Sequence, residues 1–396
     1  MRTISVQQRR QALVRRHRLR GDATGPEDVT AALIALHATD PASVYLSVLA
    51  RSNISSLADV SAAMYERRSL VRWLAMRRTL FLFLTHDVPL IQAAVSTPLA
   101  GALRRQLVGR LQRNGTEPAI DGDVSAWLTG VQAHVERSLH ASQSATGAQV
   151  SADVPTLGTS IRPRAPSDRP QNLTSALLTI MSAQGRIVRC TPTGPWTSRQ
   201  HRWEPVDRWW PQGLPEIGTA DAQQALARRW LERFGPATAE DLQWWTGWSK
   251  TTVASALREL AVEEVDLHGE SGIALPVGDG PPAVPGEAPA EQPAAALLPA
   301  LDPTPMGWKH RAWFLSLDPR QIFDTAGNIG PTLWWDGEII GSWAVAASGE
   351  IRTHVALDRG SDAAGAVEAA AANLHRRLDG TVVTPAVRTP LERSLL

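Results

Sequence analysis

The sequence predicts an α+β fold that is mainly helical, with three tandem winged-helix modules followed by a small C-terminal β-barrel-like module. Three observations predict it. Helices followed by a strand pair occur three times in chain order, a Pro/Gly/Ala-rich segment follows, and short strands dominate after it. The predicted bounds are 1–118, 119–215 and 216–275 for the winged-helix modules, 276–296 for a linker or surface loop, and 297–396 for the β-rich module.

The first predicted module contains three short helices and a hairpin. Residues 26–68 carry the apolar spacing of three short helices, of which the first is PEDVTAALIALH. Pro41 disfavours helix at Asp40 and suits the first position of the next helix, so Asp40 is expected to be its N-cap. Residues 69–84, SLVRWLAMRRTLFLFL, then hold two apolar runs around a basic tip, which predicts a hairpin.

The same order of elements returns twice. NLTSALLTIMSAQG is an apolar helix ending at Gly185, and RIVRCTP with SRQHRWEP predicts a basic strand pair. The helices before it are expected within residues 120–160. Further along, TADAQQALARRWLERFG, ATAEDLQWWTG and SKTTVASALREL predict three helices, and VEEVDLHGESGIALP predicts a strand pair. Helix, turn, helix and wing therefore follow one another in chain order.

The C-terminal part changes character. Residues 276–296 are mostly Pro, Gly and Ala, which is typical of a linker or surface loop. WFLSL, TLWWDGEIIGSWAVA and IRTHVAL then predict short strands, with Asp336-Gly337 as a hairpin signal. AAGAVEAAAANLHRRL predicts a helix behind them.

The composition excludes several classes of protein. No run of 18 uncharged apolar residues occurs, and the arginine-rich N-terminus lacks the apolar centre of a signal peptide, so a cytoplasmic protein is expected. A single cysteine, Cys190, excludes an internal disulfide and a cysteine-rich metal site. We expect no metal and no cofactor. With a net charge of +1, nucleic-acid binding would have to come from a local patch.

The segment His37-Ala38-Thr39 raises a functional question, because it places polar side chains between two apolar helices. Histidine at a helix end often binds the last carbonyls, and threonine is an ordinary turn residue. The segment is therefore either a cap and a turn or a site.

Four stretches bear on this question: LHATDPASVYLSVLARS, RRSLVRWLAMRRTLFLF, LLPALDPTPMGWKHR and GNIGPTLWWDGEIIGSW. Together, over roughly residues 5–390, the chain resembles the tandem winged-helix DNA glycosylases, which include bacterial alkylpurine glycosylases acting on bulky adducts and interstrand crosslinks. The resemblance implies three winged helices with a C-terminal β-barrel. Characterised members carry Gln-x-Gln or Gln-x-Asp where this chain has His37-Ala38-Thr39, so the resemblance implies His37 and Thr39 as the catalytic pair.

The resemblance also implies a chemistry. An N7- or N3-alkylated purine is already cationic and leaves without an enzyme acid, so the protein must stabilise an oxocarbenium-like sugar and deliver water. Histidine can position that water or accept its proton, and threonine can hold the water or a sugar oxygen. Only two lysines, Lys250 and Lys309, are present, so we expect hydrolysis by a monofunctional glycosylase without lysine-dependent strand cleavage. We also expect a monomer. The alternatives are a non-catalytic winged-helix DNA-binding protein or transcription regulator, and a structural or protein-interaction paralogue that has lost activity.

The expected partner is double-stranded DNA carrying alkylated purines. The candidate DNA-binding residues are cations on the predicted hairpins and on the third helix of the third module, namely Arg77, Arg78, Arg199, Arg202 and Lys250. A solvated surface is the alternative for each of them. RPRAPSDRP, residues 162–170, is a further basic loop that either contacts phosphates or is disordered.

Overall fold

The computed structural model describes residues 1–163, 171–276 and 293–396. About half of these residues are helical, and the fold is mixed α+β, as predicted. The chain forms two compact units. Unit 1 comprises Met1–Leu70, Leu82–Leu84 and Gln223–Leu396, and unit 2 comprises Val71–Phe81 and Thr85–Ala222. The predicted module bounds stay a prediction.

The helices are α1 Val6–Arg16, α2 Pro26–Leu33, α3 Pro41–Leu49, α4 Leu57–Ser61, α5 Val88–Ile91, α6 Thr97–Asn114, α7 Val124–Ser142, α8 Gly147–Asp153, α9 Leu173–Ala183, α10 Thr219–Phe234, α11 Ala239–Thr246, α12 Lys250–Arg258, α13 Pro319–Ile322, α14 Ser361–Leu378 and α15 Pro390–Arg393. Among the described residues, none of these helices is long and apolar enough to span a bilayer.

The strands are β1 Arg2–Thr3, β2 Leu36–His37, β3 Leu70–Ala75, β4 Thr79–Leu84, β5 Thr116–Glu117, β6 Ala145–Thr146, β7 Ser160–Ile161, β8 Gln171–Asn172, β9 Ile187–Pro192, β10 His201–Pro205, β11 Glu263–Asp266, β12 Ser271–Ala274, β13 Ala295–Leu298, β14 Thr332–Trp335, β15 Glu338–Val345 and β16 Ile351–Val355.

The three helices expected in residues 26–68 are α2, α3 and α4. Pro26 and Pro41 occupy the first turns of α2 and α3, and a capping box between Ser56 and Asp59 starts α4. The hairpin predicted over residues 69–84 is β3 and β4, which are neighbours in one sheet. The three helices and the hairpin are confirmed, but the first helix was expected to run to His37. It stops at Leu33, because Ile34 has a positive φ that breaks the helix, and Leu36–His37 form β2 instead.

Unit 2 is built around one apolar core. Helices α6, α7 and α9 contribute Leu107, Leu128, Val135, Leu177 and Met181, all nearly inaccessible to solvent. Its strands pair antiparallel, β3 with β9, β9 with β10 and β10 with β6. The predicted helix ending near Gly185 is α9, and the predicted basic strand pair is β9 and β10.

Unit 1 contains the third set of predicted elements. Thr238 caps α11 in a capping box with Asp241, Gly247 ends that helix in the left-handed region, and Ser249 caps α12. β11 and β12 pair antiparallel, and β1 adds to β11 in parallel. The order of helices and strands is as predicted, and the count of winged-helix modules stays a prediction.

The C-terminal module differs from the expectation. β13, β14, β15 and β16 form an antiparallel sheet in that order, and α14 packs on both outer strands. Asp336 and Gly337 both have positive φ at the β14–β15 turn, which fits the predicted hairpin. The described strands form an open sheet, so the expected barrel-like closure is not present in this module. Most of the predicted linker 276–296 lies outside the described residues, and its end belongs to β13.

Candidate active site and nucleic-acid interface

The His37–Thr39 segment lies in unit 1 between α2 and α3. Helix α2 ends at Leu33, and its C-cap residue Ile34 has a φ of 64° and a ψ of −43°, which are unfavourable for a β-branched residue. Ile34 is buried, so packing holds it in this conformation. Backbone strain of this kind persists only where the surroundings fix it, and it often marks functional positions.

Burial alternates along the segment that follows. Leu36 and Ala38 are buried, whereas His37 is half-buried and Thr39 is exposed. Leu36 and Ala38 therefore anchor the junction in the core, while His37 and Thr39 each keep surface that is accessible to solvent.

Asp40 corrects one expectation. It occupies the N-cap position of α3, but its side chain makes no capping hydrogen bond. Instead its Oδ2 accepts a hydrogen bond from the backbone N–H of Ala386, at 2.9 Å, and the residue is buried. The carboxylate therefore ties the junction to the C-terminal segment, because a tertiary partner has replaced the local one.

The far end of α3 is held by a buried ion pair that the sequence reasoning missed. Arg51 Nη2 lies 2.7 Å from Asp302 Oδ1, and both side chains are fully buried. Ser47 Oγ donates to Asp302 Oδ2 at 2.8 Å, and Ser43 Oγ donates to the carbonyl of Ala300 at 2.7 Å. Helix α3 is thus fixed to the LLPALDPTP segment, whose aspartate was the available signal.

His17 extends this network. Its Nδ1 lies 2.9 Å from Thr304 Oγ1 and its Nε2 lies 3.2 Å from the carbonyl of Arg233. Burial, with the charge of Arg51 next, lowers the pKa of His17 well below its usual value. The ring is therefore neutral, with Nε2–H donating to Arg233 and Nδ1 accepting from Thr304.

The first basic hairpin presents its arginines to solvent. Arg77 and Arg78 are exposed at the β3–β4 turn, and both have positive φ. Arg78 also lines a cleft of about 270 Å³ together with Arg110 and Arg113 of α6. The structure thus brings one sequence-predicted arginine together with two that the sequence analysis did not single out.

The two candidate arginines of the second basic hairpin, Arg199 and Arg202, lie in different environments. Arg199 is exposed and lines a cleft of about 920 Å³. Arg202 is half-buried, and its Nε donates to Ser144 Oγ at 2.9 Å. Arg202 is therefore engaged within the fold. Lys250, the first residue of α12, is exposed in unit 1. Most of the basic loop 162–170 lies outside the described residues.

The larger cleft contains an arrangement that only strand register reveals. Arg189 of β9 is the direct partner of Arg72 on β3 and of Trp203 on β10. The Arg189 guanidinium lies 5.0 Å from the centre of the Trp203 ring. Burial lowers the pKa of Arg189 to about 10, and burial with the nearby Arg189 charge lowers the pKa of His201 to about 3. Arg189 therefore remains a cation and His201 is neutral at physiological pH.

These sites can be set beside known proteins. The family model described as "DNA glycosylase AlkZ-like" matches residues 30–377, which is most of the chain. The chain belongs to this family of DNA glycosylases. The predicted kinship is thereby confirmed, and with it the general assignment to the DNA-repair hydrolases that cleave N-glycosyl bonds.

One solved structure supports the fold of this AlkZ-like chain. The Streptomyces sahachiroi DNA glycosylase AlkZ superposes with a TM-score of 0.70 at 18% sequence identity, covering 97% of this chain and 99% of that chain. At this identity the likeness concerns the fold. The comparison with curated proteins gave no match.

Proposed function

We propose that this AlkZ-like chain hydrolyses the N-glycosidic bond of cationic alkylated purines in double-stranded DNA, with water held by His37 and Thr39. The substrates are N7- or N3-adducts, including bulky or crosslinked ones. The observation that supports the proposal is the solvent accessibility of His37 and Thr39 at the junction where the resemblance to the family expects its polar pair.

The chemistry needs few groups. Alkylation at N7 or N3 gives the base a positive charge, so the base departs as a neutral molecule when the glycosidic bond breaks. An oxocarbenium-like sugar is left, and water must attack its anomeric carbon. A neutral His37 imidazole can accept the proton from that water, and the Thr39 hydroxyl can hold the water or a sugar oxygen. The products are a free base and an intact strand with an abasic site.

The surroundings of the junction suit this role. Positioning a water requires a rigid support, because misplacement by about 1 Å can cost about 10²-fold in rate. Buried Leu36 and Ala38 fix the extended segment, and Asp40 binds the backbone of Ala386. We propose that the chain acts as a monomer, and that its three predicted winged-helix modules contact the duplex.

The test uses a duplex with a single N7-methylguanine. The full chain is incubated with this duplex, free 7-methylguanine is measured by mass spectrometry, and the strand is examined with and without alkali. Free base with a strand that breaks only after alkali supports monofunctional hydrolysis. Breakage without alkali in a nuclease-free preparation contradicts the monofunctional assignment. Duplex binding without base release contradicts the proposal and favours a non-catalytic DNA-binding protein.

A further inference from the structure

Helix α9 of unit 2 has an unusual exposed side. Its sequence, LTSALLTIMSA, carries no charged residue. Leu177 and Met181 are buried in the core, whereas Ser175 is exposed and Thr174 and Thr179 are half-exposed. The accessible side therefore consists of small hydroxyl-bearing residues. Such a surface lets a ligand approach the helix closely, whereas long charged side chains would hold it off.

Arginines surround this uncharged side without lying on the helix itself. The cleft of about 920 Å³ is lined by Thr174, Ser175 and Thr179 of α9 and also by Arg189 and Arg199. The cleft of about 270 Å³ is lined by Thr179 as well, and by Arg78, Arg110 and Arg113. Thr179 thus borders both clefts. Among the described residues that line either cleft, none is an aspartate or glutamate.

Arg189 is the cation of the larger cleft whose surroundings among the described residues are best defined. It lies directly opposite Arg72 in the sheet, and like charges at such positions are destabilising. Among the described residues, its guanidinium makes no ion pair, and its buried Nε has no hydrogen-bond partner. An anion in the cleft would offset the cost of burying this cation.

We propose that α9 enters a groove of duplex DNA and that the two arginine-lined clefts bind backbone phosphates on either side of it. A free phosphate would fill one cleft only, whereas a duplex presents phosphates along both edges of a groove that admits a helix. Ser175 and Thr179 would face the groove between those contacts. The inference rests on the proposed function for its partner, double-stranded DNA, and adds the element and the arginines that bind it.

The test measures binding of an undamaged duplex by fluorescence anisotropy over a range of salt concentrations. Arg189→Gln and Arg113→Gln each remove one cation, one from each cleft. Each should weaken binding roughly tenfold, the effect of losing one charge-assisted hydrogen bond. Each should also lower the slope of log Kobs against log salt by about 0.9. The matched control is Arg137→Gln, which removes an exposed arginine of α7 that lines neither cleft. It should change neither quantity.

A second variant guards against misfolding. Ser175→Glu places a carboxylate in the first turn of α9, where negative charge favours the helix, so its folding should be unimpaired. It should nevertheless weaken duplex binding by roughly tenfold or more through repulsion of phosphate. Wild-type binding by a folded Ser175→Glu protein would overturn the proposal.

Two further measurements separate the proposals. Thermal shifts with inorganic phosphate alone show whether a cleft binds free phosphate. A shift that depends on the cleft arginines, without any effect of those arginines on duplex binding, would overturn the DNA assignment.

Base release from a lesion duplex is measured on the same proteins. If wild type releases base and all variants bind the duplex like wild type, the clefts do not bind DNA and the glycosylase proposal stands. If the cleft variants lose binding as expected and wild type releases no base, the glycosylase proposal fails and the clefts stand.

Discussion

Arg51 in unit 1 and Arg189 in unit 2 are both withdrawn from water, but they differ in what compensates their charge. Arg51 is fully buried, and its guanidinium binds both oxygens of Asp302 as well as the Thr304 hydroxyl and the carbonyls of His17 and Ser47. Arg189 is half-buried beside a second arginine, against a tryptophan ring, with no ion pair among the described residues. One cation is compensated within the fold and the other is not.

This difference separates a scaffold from a binding surface. A buried ion pair whose donors all have partners holds elements together, because removing one partner leaves the other charge unpaired in a low-dielectric interior. A buried charge without a counterion keeps capacity for an external anion. In unit 1 the compensated network supports α3, which begins at the candidate catalytic junction. In unit 2, Arg189 lies in a cleft beside α9 and makes no ion pair among the described residues.

The largest expected effect is loss of the compensated pair. Asp302→Ala leaves Arg51 buried without its carboxylate and should lower the free energy of unfolding by about 3–5 kcal/mol. Urea denaturation monitored by tryptophan fluorescence measures this. The control is Glu350→Ala, which breaks an exposed pair with Arg352 and should leave the urea midpoint unchanged. Equal midpoints for the two variants would show that Arg51 and Asp302 are not a scaffold.

Arg77 and Arg78 at the tip of the β3–β4 hairpin give a second test of the DNA-binding surface. Replacing Arg77 and Arg78 together by glutamine should weaken duplex binding and lower the salt slope by about one unit for each lost phosphate contact. Stability should stay the same, because both side chains are exposed. Anisotropy titrations at several salt concentrations provide the measurement. An unchanged slope would remove this hairpin from the interface.

His17 gives the scaffold a pH dependence. Its pKa is lowered in the folded protein, so the contribution of neutral His17 is fully present above the unfolded value of about 6.5 and is lost as pH falls below it. One such group lowers stability by at most about 1.4 kcal/mol per pH unit. Urea midpoints of wild type and His17→Gln between pH 7.5 and 5 test this. A wild-type profile as flat as that of His17→Gln would contradict a neutral buried ring.

The smallest effect is expected for Asp40→Asn. Asparagine retains an oxygen that can accept from the Ala386 N–H, so Asp40→Asn should cost less than about 1.5 kcal/mol. Asp40→Ala removes the acceptor altogether and should cost more, about 1.5–3 kcal/mol. Thermal unfolding of both variants provides the comparison. If Asp40→Ala is as stable as wild type, the bond to Ala386 does not hold the junction.

Local signals made much of the fold predictable. Apolar spacing and caps located α2, α3, α9, α11 and α12, and the strand pairs behind them followed from composition. Local reasoning failed where a tertiary contact decided the outcome. Asp40 was predicted as a side-chain cap and binds Ala386 instead, 346 residues away in sequence. The C-terminal strands suggested closure, but α14 packs on both outer strands of an open sheet.

The candidate sites show the same limit. Position and residue type singled out His37 and Thr39, but their accessibility beside the buried Leu36 and Ala38 is known only from the folded chain. The pairing of Arg72 with Arg189 depends on strand register across more than a hundred residues, which no local pattern encodes. Arg51 and Asp302 are 251 residues apart in sequence, so no local pattern predicts their pairing either.

The most direct test of the account is single-turnover release of 7-methylguanine by wild type and His37→Ala. The assay uses saturating enzyme, and circular dichroism and duplex binding confirm that the variant is folded and bound. If His37 accepts the proton from the attacking water, His37→Ala should release base at least roughly 10²-fold more slowly. Release at the wild-type rate by the folded, DNA-bound variant would contradict the account and leave the junction as a cap and a turn.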